Sequence, residues 1–223
     1  KRSIPALKIA MKNTNVSNLM ITTLCVDTDE VGYACIELYP DVNLFKTYSS
    51  LYEKVFSKKT LSDEISGKKE VLERLMKNEA FLVKAISYEP FLTSFSASKV
   101  ALYVLEGYEK VRKSLLENDA FAKKIVGNDN SFSYITNRIG WANYIAYSYP
   151  MMNEIVSDYA KIKSIMDKSD WRSILLNSWM SLDIIMNSKN AIKALKENVN
   201  NSQSFLDLLI SSETLMKYLT NMT

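Results

Sequence analysis

Every tenth residue of this chain is apolar over a long stretch. The positions whose numbers end in 5 run Phe45, Val55, Ile65, Leu75, Ala85, Phe95, Leu105, Leu115, Ile125, Ile135, Ile145, Ile155, Ile165, Leu175, Ile185 and Leu195, with Cys25 and Cys35 upstream. At 47% hydrophobic residues, such a column arises by chance about once in 10⁵. Positions ending in 1 are mostly large and apolar, as in Leu61, Phe81, Phe91, Phe121, Trp141 and Trp171, and positions ending in 2 follow with Leu72, Leu82, Leu102, Phe132 and Ile162. Within each unit the apolar residues therefore stand at i, i+1, i+4 and often i+5. That spacing covers one face of a helix and does not alternate as a strand would.

Helix punctuation separates these faces. Positions ending in 8 include Asn78, Ser98, Asn118, Asn128, Ser148, Asp158, Ser178 and Ser188, whose oxygens can accept the unpaired N–H groups of a new first turn. Positions ending in 7 include Gly67, Gly107, Gly127, Asn137, Asn177 and Asn187, residue types that tolerate the left-handed conformation ending many helices. Pro90 and Pro150 fall in first turns, where the missing N–H is harmless. The pattern predicts an all-α, solenoid-like stack of helices of about eight residues, each roughly 12 Å long, with one- or two-residue turns. One long helix is excluded, since three turns in ten residues would need about 3.3 residues per turn, tighter than supercoils sustain. Junction residues such as Lys168 read as expendable.

A weaker modulation recurs every third unit. Leu51, Phe81, Val111, Trp141 and Trp171 are large, while Val71, Ala101, Ser131, Lys161 and Ala191 are smaller or polar and are followed by bulky Leu72, Leu102, Phe132, Ile162 and Ile192. This predicts three short helices per superhelical turn. The register divides the chain into an irregular segment 1–47, fifteen units over 48–197, and a C-terminal segment 198–223. The last holds an insertion, Asn198, Val199 and Asn200, and two capping units built on Phe205, Leu208 and Leu209 and on Leu215, Tyr218 and Leu219. In 1–47, residues 20–26 and 33–39 flank Asp27, Thr28, Asp29, Glu30, Val31 and Gly32 and could form a hairpin. Helical continuation is preferred, because Thr28, Asp29 and Glu30 make a good helix start.

Composition narrows the chemistry. The chain has no histidine, which removes the commonest general base and metal ligand near neutral pH. Two cysteines are too few for a disulfide framework and are expected as buried thiols. Asp27, Asp29 and Glu30 lack the spacing of a calcium loop and read as helix-start acids. No catalytic residue, metal or cofactor is expected, and the chain is not expected to be an enzyme. A net charge of +3 with interspersed signs does not suit nucleic acid, and no apolar run is long enough for membrane insertion. No secretion signal is read in the basic start Lys1, Arg2, Ser3, Ile4, Pro5. Trp141 and Trp171 fall in the core column, whereas Trp179, with Tyr88, Tyr108, Tyr147 and Tyr149 near the junctions, is expected at an exposed binding surface.

The units also resemble a known family. Ser188 followed by Ala191, Ile192 and Leu195, Ser148 followed by Met151, Met152 and Ile155, and Ser178 with Leu182 and Ile185 are similar to the degenerate Ser-x-x-Ala-Met-x-x-Ile-x-x repeats of tail-fibre proteins in phages and phage-tail-like bacteriocins. The resemblance spans 48–223, with Trp and Phe replacing most of the Ala-Met pairs. It implies a structural or binding component of a virion or extracellular particle, a tail fibre or baseplate part. It further implies homo-oligomers, other tail or baseplate proteins as partners, and a host-surface receptor. A helical-repeat adaptor or inhibitor that binds another protein is the alternative.

Overall fold

The computed structural model describes residues 50–202 and 212–220, together with residues 6, 9, 10, 12, 13, 15, 16 and 207; side chains are described except at 50, 51, 199–202, 218 and 219. Cys25, Cys35, Phe45, the hairpin question, the Asp27, Asp29 and Glu30 cluster and the unit on Phe205, Leu208 and Leu209 lie outside these residues. The described residues are helical and contain no strand. Two compact units divide the chain between Val111 and Arg112.

The first unit holds α1 (Ser50–Phe56), α2 (Lys59–Ser66), α3 (Lys69–Met76), α4 (Glu79–Ile86), α5 (Glu89–Ala97) and α6 (Lys99–Glu106), and ends inside α7 (Glu109–Leu116). The second continues with α8 (Asp119–Gly127), α9 (Asp129–Thr136), a 3₁₀ turn (Ile139–Trp141) leading into α10 (Ala142–Ala146), α11 (Tyr149–Ser157), α12 (Tyr159–Met166), α13 (Ser169–Asn177), α14 (Trp179–Met186), α15 (Lys189–Ser202) and α16 (Glu213–Thr220). Breaks fall every ten residues, at the positions ending in 8 from Lys58 to Ser188, as the register requires.

Isolated helices of eight residues are unstable in water, so each depends on its neighbours. Residues ending in 5 are buried from Val55 to Leu195 without exception, and most residues ending in 1, 2 and 6 are buried beside them. Trp141 and Trp171 belong to this core. In the first unit α1 packs on α4, α2 on α5 and α3 on α6; in the second α8 packs on α11, α10 on α13, α11 on α14 and α12 on α15. In these pairs a helix meets the one three units later, which makes three helices one layer of a solenoid-like stack within each unit.

The caps have the expected identity and a second role that spacing did not reveal. Asn78, Ser98, Asn118, Asn128, Ser148, Asp158 and Ser178 each accept a first-turn N–H of the helix they precede, and Ser188 does the same for Ala191. The serines also donate. Ser98 Oγ reaches Ser66 O at 2.5 Å, Ser148 reaches Leu116 O at 2.7 Å, Ser178 reaches Ala146 O at 2.9 Å and Ser188 reaches Val156 O at 3.3 Å. Each bond spans 32 residues, from a cap to the C-terminal end of the helix one layer before. A hydroxyl can accept and donate together, so one serine satisfies an orphan N–H of its own helix and an orphan C=O of another. A capping carboxylate such as Asp158 cannot do both.

The turns do not use the left-handed conformation. Gly67 and Gly107 have φ −92° and −80°, and Asn187 has φ −91°, all right-handed values. Reversal comes from the next residue, the one ending in 8, which is extended, as at Asn78 (φ −126°, ψ 90°) and Ser148 (φ −115°, ψ 109°). Any L-residue adopts that conformation, so Lys77, Ser87 and Asp167 serve at the preceding position as well as glycine. One start is irregular: after Arg138 the chain forms a 3₁₀ turn over Ile139–Trp141 before the α-helix.

The C-terminal segment departs in phase. α15 is 14 residues long and runs straight through Asn198, Val199 and Asn200. Ser212 then repeats the serine device, capping Leu215 N at 3.1 Å and donating to Leu176 O at 2.9 Å across 36 residues. The step is four residues longer than in the other layers, close to one added helical turn. Leu215 consequently occupies the first buried position of its unit, three residues after the cap to which its N–H donates.

Candidate interaction surface

The exposed aromatic residues concentrate at one kind of junction in the second unit. Ser178 tied to Ala146 O seats the start of α14 on the end of α10. Tyr147 directly follows α10, Tyr149 begins α11 and Trp179 begins α14. Their exposures are 62%, 53% and 50%, high for side chains of this size. Tyr149 and Trp179 hold the same place in units thirty residues apart, so they fall on one edge in successive layers. Glu117 holds the place of Tyr147 one layer earlier, and burial pushes its carboxyl up from the ordinary value.

Tyr88 and Tyr108, the other two expected contact residues, belong to the first unit and are half-buried. The Tyr88 ring stacks on Phe56 with centroids 6.4 Å apart, and Tyr108 Oη donates to Glu73 O at 3.3 Å. Both are occupied in holding layers of the first unit together. Sequence reasoning missed Tyr103, 55% exposed with Lys69 Nζ 5.7 Å above its ring.

Charged groups around the second unit are mostly matched. Lys161 pairs with Asp129, holding that carboxyl below its usual range. Tyr159 Oη donates to Glu197, which pushes the phenol up to about 12. Lys168 Nζ donates to Thr136 O and Asn137 Oδ1, each at 2.9 Å, while burial lowers its pKa. Lys168 is therefore a tie between layers and not the expendable residue its position suggested. Among the described residues no group of three or more Cys, Asp or Glu side chains is placed to hold a metal ion, and no helix is long and apolar enough to cross a membrane. The arrangement offers apolar aromatic area with hydroxyl and indole hydrogen-bonding tips, suited to contact with another molecule.

No protein family, curated protein or solved structure matches the chain.

Proposed function

We propose that this chain is a non-catalytic binding scaffold, and that it serves as a tail-fibre or baseplate component of a phage or phage-tail-like particle. The observation that carries the binding reading is the grouping of Tyr147, Tyr149 and Trp179, all at least half exposed, at junctions of one kind. Rigidly held aromatic residues give large contact area at low entropic cost, and junctions carry binding more often than packed faces do. The particle reading rests on the resemblance of the Ser148, Ser178 and Ser188 units to tail-fibre repeats. In this reading the partners are other tail or baseplate proteins, further copies of the chain and a host-surface receptor, and the location is the assembled particle.

Two measurements test the two halves. Particles purified from the producing cells are expected to contain the chain in fixed stoichiometry, and its absence from them would leave the adaptor reading in place. Replacing Tyr147, Tyr149 and Trp179 together with Ala is expected to lower binding to the host surface or neighbouring tail protein at least tenfold, with an unchanged circular dichroism spectrum. Undiminished binding would remove this surface from consideration.

A further inference from the structure

One charged residue stands in the core without an acceptor. Arg112 occupies the second buried position of α7, a place held by Leu72, Leu82, Leu102 and Met152 in other units, and it is only 7% exposed. Its guanidinium carbon lies 3.7 Å over the Tyr144 ring and 5.4 Å from the Trp141 ring. Nε is sealed from solvent and has no hydrogen-bond partner, and no ion pair or hydrogen bond to Arg112 is found among the described residues. Leaving a buried charged donor unpaired is costly.

The same place two layers later shows what is missing. Arg172 is equally buried, but its Nη1 donates to Met166 O at 3.0 Å and to Asn198 Oδ1. Asn198 stands 26 residues after Arg172. The residue 26 after Arg112 is Arg138, another cation. Arg138 turns to its own helix, donating to Tyr134 O at 3.2 Å and stacking 3.7 Å over the Tyr134 ring. One arginine is thus provided with an acceptor and its counterpart is not.

We propose that Arg112 is a binding residue for a single carboxylate, of the kind an acidic segment of a partner protein presents. The aromatic faces beside the guanidinium leave its hydrogen-bonding edge as the direction of approach. That planar fork matches a planar carboxylate with two parallel bonds. A doubly charged phosphate would call for several converging cations or backbone donors, whereas the walls here are the neutral rings of Trp141 and Tyr144. Lys113 Nζ lies 5.8 Å from the Tyr144 ring centre, so a second cation stands beside the same ring. Tyr144 is three residues from exposed Tyr147, so a partner lying on the aromatic junction could place an acidic side chain at Arg112. The site stands whether or not the chain belongs to a particle.

The test uses the intact protein and titrates acetate, inorganic phosphate and chloride at constant ionic strength, following the arginine Nε–H signals by NMR. There are five arginines, at 2, 74, 112, 138 and 172, and Arg112→Lys assigns the signal of interest. Acetate is expected to shift the Arg112 signal saturably, to leave the already bonded Arg172 signal in place, and to raise Tm by about 3–5 °C near saturation. A short glutamate-rich peptide is expected to compete for the same shift. Arg112→Lys should weaken acetate at least tenfold, because the point charge remains and the fork is lost. An Arg112 signal unmoved by acetate, or moved equally by chloride, would overturn the site. A saturable shift with phosphate alone would overturn the carboxylate assignment. If the lysine variant fails to fold, selective labelling of arginine with assignment through Lys113 gives the same readout on the unaltered protein.

Discussion

Both units carry serine bonds between layers, from Ser98 in the first and from Ser148, Ser178, Ser188 and Ser212 in the second, but they differ in what accompanies them. In the first, Tyr52, Phe56, Phe81 and Phe91 form a continuous aromatic cluster, with the Phe56 and Phe91 centroids 4.7 Å apart and those of Tyr52 and Phe81 4.9 Å apart. Phe56 belongs to one layer and Phe81 and Phe91 to the next. In the second unit the links include directional bonds from Ser148, Ser178, Ser188 and Ser212, supplemented by Lys168 and Asn198. Aromatic packing tolerates small displacements, because dispersion and burial are summed over many weak contacts. A hydrogen bond to one particular carbonyl does not. The second unit, which carries more of these bonds among the described residues, is also the one whose Ser148, Ser178 and Ser188 units resemble the Ser-initiated consensus.

The largest effect should come where the units are alike. Ile155→Asp buries an unpaired charge in the common column and is expected to cost more than about 4 kcal/mol, abolishing the cooperative melt of the second unit by circular dichroism. Phe56→Ala should cost about 3–5 kcal/mol, since its ring contacts Tyr52, Phe81, Tyr88 and Phe91 together. Hydrogen exchange should then show the loss concentrated in the first unit; equal loss in both would erase the contrast. Ser148→Ala should cost about 1–3 kcal/mol in urea unfolding, from one cap and one buried carbonyl left unpaired. Ser148→Asp restores the cap acceptor without the donor. It should remain close to the alanine variant, and full recovery would show that the link to Leu116 contributes nothing.

The smallest effect is a pH dependence. Tyr159 is held protonated by its bond to Glu197, with its pKa raised to about 12 from the usual phenol value of 10.0. A group raised in the folded state contributes stability that is intact below the unfolded pKa and is lost as pH climbs through the folded one. Stability should therefore fall modestly between pH 10 and 12, over and above the general alkaline loss. Glu197→Gln should remove that increment and return one phenol in a spectrophotometric titration to an ordinary value. Identical titration curves for the two proteins would dismiss the bond.

Much of this architecture was legible because it is written in apolarity and in cap residues, both of which act locally. The column from Val55 to Leu195 and the eight caps from Asn78 to Ser188 are found where spacing put them. The three-unit layer was visible too, since Trp141 and Trp171 share a place that differs from that of Ser131 and Lys161. What stayed hidden depends on geometry between distant residues. Nothing in the letters says that Ser148 donates to Leu116, that Tyr88 and Tyr108 are drawn into packing, or that Lys168 is tied to Thr136. Gly67 and Gly107 misled, because a glycine at a helix end suggests a left-handed residue and here the extended residue after it makes the turn. Arg112 did leave a signal as a charged letter in an apolar column, but its partners could come only from the fold.

The 32-residue reach of the serine bonds also sets rules for how a gene of this kind can change length. Losing or gaining ten codons would hand every downstream helix to the wrong neighbour, pairing each serine with a carbonyl on a different side of the stack. Changes of thirty codons restore every partnership: with residues 149–178 removed, Ser148 would still reach Leu116 and would begin the helix that now starts at Trp179. A gain of about four codons inside a helix is the other permitted step, since it adds one turn without rotating the buried stripe far. The longer α15 and the 36-residue reach of Ser212 have the form of such a step. Natural length variants should therefore cluster at these two increments, with ten- and twenty-codon differences rare between them.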